Sequence, residues 1–176
     1  MSDEKQHPSP TERLAEAYDR MMERVSASLE EAEEKTLPNL QKHLDRAVDK
    51  TVELEELTRE EAEKVAAWLR RDLRDAGHHL AETGDELRHW LKFDIELMEQ
   101  RLYEFLARAA DKTRLEILEL RETLREDPPH HSGEITGPGT LYCSDCNQAM
   151  HFHRTGHIPP CPKCHGSNFR RMPMRR

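Results

Sequence analysis

Cys143-Ser-Asp-Cys146 and Cys161-Pro-Lys-Cys164 are two pairs of identical spacing with fourteen residues between them, and they hold all four cysteines of the chain. Two residues inside each pair let both sulfurs of a tight turn face one ion. Two such knuckles at this separation are the spacing of a zinc ribbon. The expectation is one structural Zn²⁺ per chain on Cys143, Cys146, Cys161 and Cys164. A complete Cys₄ set closes the coordination shell and leaves no position for a substrate. Two dithiol redox pairs would belong at the strand–helix junctions of a βαβ unit, and no such pattern surrounds them. A rubredoxin-like iron site remains open, since a Cys₄ tetrahedron holds either metal. The helical context gives no sign of an electron-transfer partner, so zinc is preferred.

Around the knuckles the sequence reads as a small three-stranded β unit over 140–173. Leu141-Tyr142 leads into the first pair, Gln148 to Arg154 offers a strand and a turn, and Asn168 to Met172 supplies a third strand. Tyr142, Phe152, Ile158 and Phe169 are the candidates for an apolar cluster beside the metal. A unit this short needs a metal, because domains below about 40 residues rarely fold on an apolar core alone. Zinc in small finger peptides supplies roughly 10–16 kcal/mol of apparent binding energy. Gly166 is expected where the second knuckle needs backbone freedom. The nearby histidines His130, His131, His151, His153, His157 and His165 read as solvated side chains rather than a second metal site. His78 and His79 are likewise expected on a helix surface.

Outward from the ribbon, Asp127 to Thr140 contains three prolines and three glycines. Residues 127–139 therefore read as a linker. Before it lies a long region of helical composition. From Thr11 to Asp127 there are two glycines, Gly77 and Gly84, and one proline, Pro38.

The apolar residues of this region follow steps of three, four or seven. Leu14, Tyr18, Met21 and Val25 form one stripe. Leu44, Val48 and Val52 form another, Ala62, Val65, Leu69 and Leu73 a third, and Leu87 to Phe105 a fourth. Such stripes predict amphipathic helices, placed near 11–36, 39–55, 59–82, 85–110 and 112–126. Pro38 breaks the first helix, and Thr58-Arg-Glu-Glu61 is a capping-box pattern. The stripes are narrow and flanked by charge, which suits an elongated bundle or coiled coil. The fold class expected is mostly α, a helical domain over 11–126 followed by the ribbon. Residues 1–10 read as a disordered leader and 174–176 as a basic tail.

Composition narrows the function classes. Hydrophobic and charged residues each make up 35% of the chain. No stretch approaches the ~20 apolar residues that cross a bilayer, and the first residues lack the apolar run of a signal peptide. A soluble cytoplasmic protein with no membrane partner is expected. Residues 1–126 carry a net charge of −11 and residues 127–176 a net +3. An acidic body opposes a phosphate backbone, so only the ribbon offers candidate nucleic-acid contacts, at Arg154, Lys163, Arg170 and Arg171.

At His131-Ser-Gly-Glu134, Gly137-Pro-Gly139, Leu141-Tyr-Cys143-Ser-Asp-Cys146, Cys161-Pro-Lys-Cys164 and Phe169-Arg-Arg-Met-Pro173, the chain resembles a bacterial family of zinc-ribbon-containing proteins of unknown function. The resemblance extends in pattern over the acidic helical region. It implies a ribbon with these four cysteines as zinc ligands and carries no reaction. One departure is visible: Cys164 is followed by His165-Gly166 where ribbons often have Cys-Gly.

No P-loop, GxSxG, HExxH or dinucleotide fingerprint occurs, and no catalytic residue is assigned. The reading is a non-enzymatic interaction or scaffold protein, with a protein partner or self-association through the helices. Nucleic-acid binding through the ribbon is the alternative.

Overall fold

The computed structural model of the chain describes residues 8–31, 40–83 and 129–171. The helices expected over 85–110 and 112–126, the break at Pro38 and the tail at 174–176 lie outside the described residues, as do the side chains of His78 and His79. The described residues form three helices followed by small sheets. The helices are α1 (Pro10–Glu31), α2 (Leu40–Glu53) and α3 (Arg59–Thr83).

Helix α1 begins inside the stretch read as a leader. Ser9 and Glu12 form a reciprocal capping box: the Ser9 amide donates to Glu12 Oε2 at 2.8 Å, and the Glu12 amide donates to Ser9 Oγ at 3.2 Å. Pro10 then takes the first helical position, where its missing N–H costs nothing. The same device starts α3, where Thr58 and Glu61 exchange bonds of 3.0 and 3.3 Å. Helix α2 stops at a left-handed residue, Glu55 (φ 54°), with Glu55 N bonded to Val52 O and Glu56 N to Thr51 O. This pairing closes the orphan carbonyls of the last turn.

The three helices pack on one another pairwise. Tyr18, Met21, Val25, Leu44, Val48, Val65, Leu69 and Leu73 are buried among them, so the helical stripes meet in one core. Arg24 grips Glu56 through two bonds of 2.7 and 2.9 Å and also reaches Thr51 Oγ1 at 2.7 Å.

The β part departs from three strands. Its strands are β1 (His130–His131), β2 (Ile135–Thr136), β3 (Gly139–Cys143), β4 (Ala149–Phe152), β5 (Gly156–His157) and β6 (Asn168–Arg170). One sheet has four strands in the order β1-β6-β3-β4, and β2 pairs with β5 separately. All pairs are antiparallel; β3 faces β4 with Leu141 opposite Met150, and faces β6 with Cys143 opposite Phe169.

The segment read as a linker supplies β1 and β2, so its described part is corrected from connector to structural element. The reason is that its apolar and polar side chains find partners on the helices. Ile135 is fully buried and belongs to the helical core rather than to the ribbon's own cluster. Helices α1 and α3 contact β2, and α1 also contacts β5.

Candidate metal centre

The two knuckles are built alike. In the first, the Asn147 amide donates to Cys143 O and the Cys143 amide donates to Gln148 O, both at 2.9 Å. In the second, the His165 amide donates to Cys161 O and the Cys161 amide to Gly166 O, both at 2.9 Å. Each turn ends on a left-handed residue, Asn147 at φ 58° and His165 at φ 61°. The left-handed position one step after the second cysteine is therefore held by His165, where a glycine is the easier choice.

Gly166 serves a different purpose from the one expected. A Cβ there would run into the Asp145 carboxylate and lie 3.3 Å from Cys164 Sγ. It provides space against the opposite knuckle rather than an unusual backbone angle.

These turns bring four sulfurs together. Cys143 Sγ lies 3.4 Å from Cys164 Sγ, and Cys146 Sγ lies 3.6 Å from Cys161 Sγ. All four lie within 4.8 Å of one another. A tetrahedron with Zn–S bonds of about 2.3 Å has S···S edges of about 3.8 Å. The four residues thus fit a single Cys₄ ion. Their thiol chemistry agrees. Burial opposes ionisation of Cys161, but the Cys164 and Lys163 amides and the Cys146 thiol outweigh it and bring its pKa down to about 6. At Cys164 the Gly166 amide favours the thiolate, yet the Cys146 and Cys143 sulfurs push its pKa up to about 12. Sulfurs this crowded shed protons one at a time, and a cation at their centre relieves the repulsion.

Leu141, Met150, Ile158 and Phe169 are buried beside Cys143 and Cys161, with Phe152 packed against them. Of the expected cluster, Tyr142 stands apart. On β3 the odd positions Leu141 and Cys143 face inward while Tyr142 is half-buried on the other face, as the two-residue strand period requires.

The four basic residues singled out in sequence separate into two kinds. Arg154 and Lys163 are exposed. Arg170 is half-buried and donates to Asn147 Oδ1 at 3.0 Å. Arg171 is buried, 7% exposed, and donates to Thr136 Oγ1 at 2.8 Å, so it is corrected from a surface contact to an internal one. The histidines divide as well: His131, His151, His153, His157 and His165 are exposed, but His130 is 1% exposed. His130 is corrected from a solvated side chain to a buried one, because Asp75 Oδ2 receives its Nε2 at 2.8 Å.

A family match runs over residues 27–173, from helix α1 past the last strand. The chain belongs to the family of zinc-ribbon containing domains. Proteins similar to this chain include the uncharacterized protein YbeL of Escherichia coli K12, which is 31% identical over 138 residues, covering 74% of this chain and 80% of the relative. The YbeL proteins of E. coli O6:H1 and O157:H7 match to the same extent. No solved structure matches the chain. Among the described residues, no helix is long and apolar enough to cross a membrane.

A second group of metal-ligand types also gathers, at Asp72, Asp75 and His130. Sequence reasoning passed over it because Asp72 and Asp75 look like ordinary helix-surface acids. A signal was present at Asp72, which falls three residues after Leu69 and seven after Val65, a charged residue inside an apolar stripe.

Proposed function

We propose that this protein is a non-enzymatic interaction module in which Cys143, Cys146, Cys161 and Cys164 hold one structural Zn²⁺ per chain. The observation that carries this reading is the four-sulfur cluster itself, which supplies all four positions of a tetrahedral ion and leaves none for a reacting group. The zinc would supply the folding energy that the few buried side chains of the ribbon cannot. The helices and ribbon would then offer a joint surface to a protein partner or a second copy.

Metal analysis of the purified protein should find one zinc per chain; an iron-only or substoichiometric result overturns the assignment. Affinity capture of the intact protein, with and without nuclease, and beside a Cys161→Ser/Cys164→Ser control, tests the partner class. Nuclease-resistant protein partners support the interaction reading, and partners lost on nuclease treatment oppose it.

Nucleic-acid binding is the second reading, favoured by the exposure of Arg154 and Lys163 on the ribbon. Its footing is narrower than four cations would give, since Arg171 is buried and Arg170 is engaged with Asn147. Binding to DNA or RNA that weakens steeply with added salt would support it, and no binding at low salt would remove it.

A further inference from the structure

The ribbon meets the helices through a buried network of charges centred on Asp72, which is 3% exposed. One oxygen of this carboxylate, Oδ2, accepts the Tyr18 hydroxyl from α1 and the Gly137 amide from the ribbon side, both at 2.7 Å. Its other oxygen, Oδ1, faces Arg171 Nη2 at 3.4 Å and Arg71 Nε at 3.8 Å. One helical turn on, Asp75 Oδ2 accepts His130 Nε2 and lies 3.6 Å from Arg171 Nε. Arg71 reaches back across the junction to Glu134 at 2.5 Å. The fit is tight: a Cβ on Gly137 would stand 2.9 Å from the Tyr18 hydroxyl.

The ribbon's share of this network hangs on the metal knuckles. Phe169 of β6 lies opposite Cys143 on one side and opposite His130 on the other. The Ser144 amide inside the first knuckle donates to Asn168 O at 2.9 Å. Arg171 follows β6 directly. A ligand turn, one strand, the Arg171 guanidinium and the His130 imidazole that face Asp72 and Asp75 therefore form one continuous ladder.

Asp72, Asp75 and His130 are close enough to hold a cation of their own. Two guanidiniums already lie against the carboxylate oxygens such an ion would need, so the group reads as an ion-pair joint. Removing one side of a buried pair leaves the other charged and desolvated, which is strongly destabilising.

We propose that the ribbon is a metal-gated clasp on the helical body: while the Cys₄ centre is filled, Arg171 and His130 are held against Asp72 and Asp75, and emptying it withdraws them and loosens α1 and α3. The proposal rests on zinc occupying the Cys₄ centre. It makes the helices a reporter of the ribbon's metal state, so any partner bound by the helices would respond to zinc.

The test is hydrogen–deuterium exchange on the full chain, zinc-loaded and chelator-stripped, with metal content measured in both samples. Stripping should speed exchange in α1 and α3 on the order of 100-fold, together with the ribbon, and zinc re-addition should restore protection. Faster exchange confined to 139–171 overturns the clasp while leaving the zinc assignment intact. Less than one zinc per chain before stripping overturns both. The Arg171→Gln variant separates folding from coupling, because Arg171 is not a ligand. It should keep one zinc and a protected β3–β4 hairpin while α1 and α3 exchange at the stripped rate. Helices that stay protected in the loaded variant and loosen on stripping as in the parent overturn Arg171 as the link. Two metal ions per chain, the second lost in Asp72→Asn, overturn the ion-pair joint.

Discussion

Helices α1 to α3 bury Tyr18, Met21, Val25, Leu44, Val65, Leu69 and Leu73 against one another, whereas the ribbon buries Leu141, Met150, Ile158 and Phe169 beside two of its cysteines. The first set covers a core by apolar area alone, at about 25 cal/mol per Å² removed from water. The second is smaller, and on the proposed reading a metal on the sulfurs supplies the rest. The two regions also differ in how they treat charge. On the helices the ion pairs Arg59–Asp49 and Lys64–Glu60 sit in solvent, where each contributes little. At the junction, Asp72 and Arg171 are buried and hydrogen-bonded. The ribbon is therefore not merely tethered to an acidic body. It completes that body, through Ile135 in the apolar core and through Arg171 and His130 set against the buried acids of α3.

The largest effect should come from removing the ribbon's proposed zinc ligands. Cys161→Ser with Cys164→Ser should abolish zinc retention and collapse the amide dispersion of 139–171 in an NMR spectrum. A double variant that keeps its dispersed ribbon spectrum would show that the apolar cluster suffices, and the contrast between the regions would fail.

Next is the joint. Asp72→Ala leaves Arg171 without its central carboxylate and should cost about 3–5 kcal/mol in urea unfolding. Leu69→Ala, inside the helical core, should cost about 2–5 kcal/mol. The two should differ in kind: Leu69→Ala leaves zinc affinity near that of the parent, while Asp72→Ala weakens it.

A smaller effect should appear with pH. Burial holds the His130 imidazole below its ordinary value of 6.5, although Asp75 and Asp72 pull the other way. The unfolded chain takes up this proton near 6.5 while the fold resists it, so the stability from the neutral ring is complete above that pH. It is lost as pH falls through the lower folded value. Burial alone would raise the Asp72 carboxyl, but Arg171, protonated His130 and Arg71 outweigh it and hold it below its usual value of 3.8. Its contribution is likewise lost on acidification, further down the scale. Thermal melting should therefore fall between pH 7.5 and 5.5 by more in the parent than in His130→Gln. Equal losses in both would assign the acid sensitivity to the cysteine ligands alone.

The smallest effect should be Thr58→Ala, which removes one arm of the capping box at α3 for about 1 kcal/mol. Zinc content should not change. A loss of zinc in this variant would mean that the helices and ribbon are coupled even through a solvent-exposed cap.

The metal knuckles were legible because their spacing is local: four cysteines within 22 residues carry the geometry in their separations. The helical stripes were legible for the same reason, and Tyr18, Met21, Val25, Leu44, Val65, Leu69 and Leu73 are buried where the period of the α-helix put them. The cap at Thr58 was legible, while the matching one at Ser9 was hidden by two neighbouring prolines that read as disorder. Four strands rather than three could not be read, since β1 has two residues and no alternation to display.

The junction lay beyond local reading altogether. His130 and Asp75 are 55 residues apart in sequence, and Gly137 and Asp72 are 65 apart. By composition, a histidine between prolines and a serine in a glycine-containing stretch belongs to a linker, and an aspartate among arginines on a helix belongs to water. The sequence by itself determined the four-cysteine cluster, the three described helices and their apolar faces, because short-range spacing and periodicity suffice for those. Only the tertiary structure decided that the ribbon docks on α1 and α3, and that Asp72, Asp75, His130 and Arg171 are joined rather than solvated. The partner of a buried charge is chosen by which distant segments exclude water together, and no local pattern records that choice.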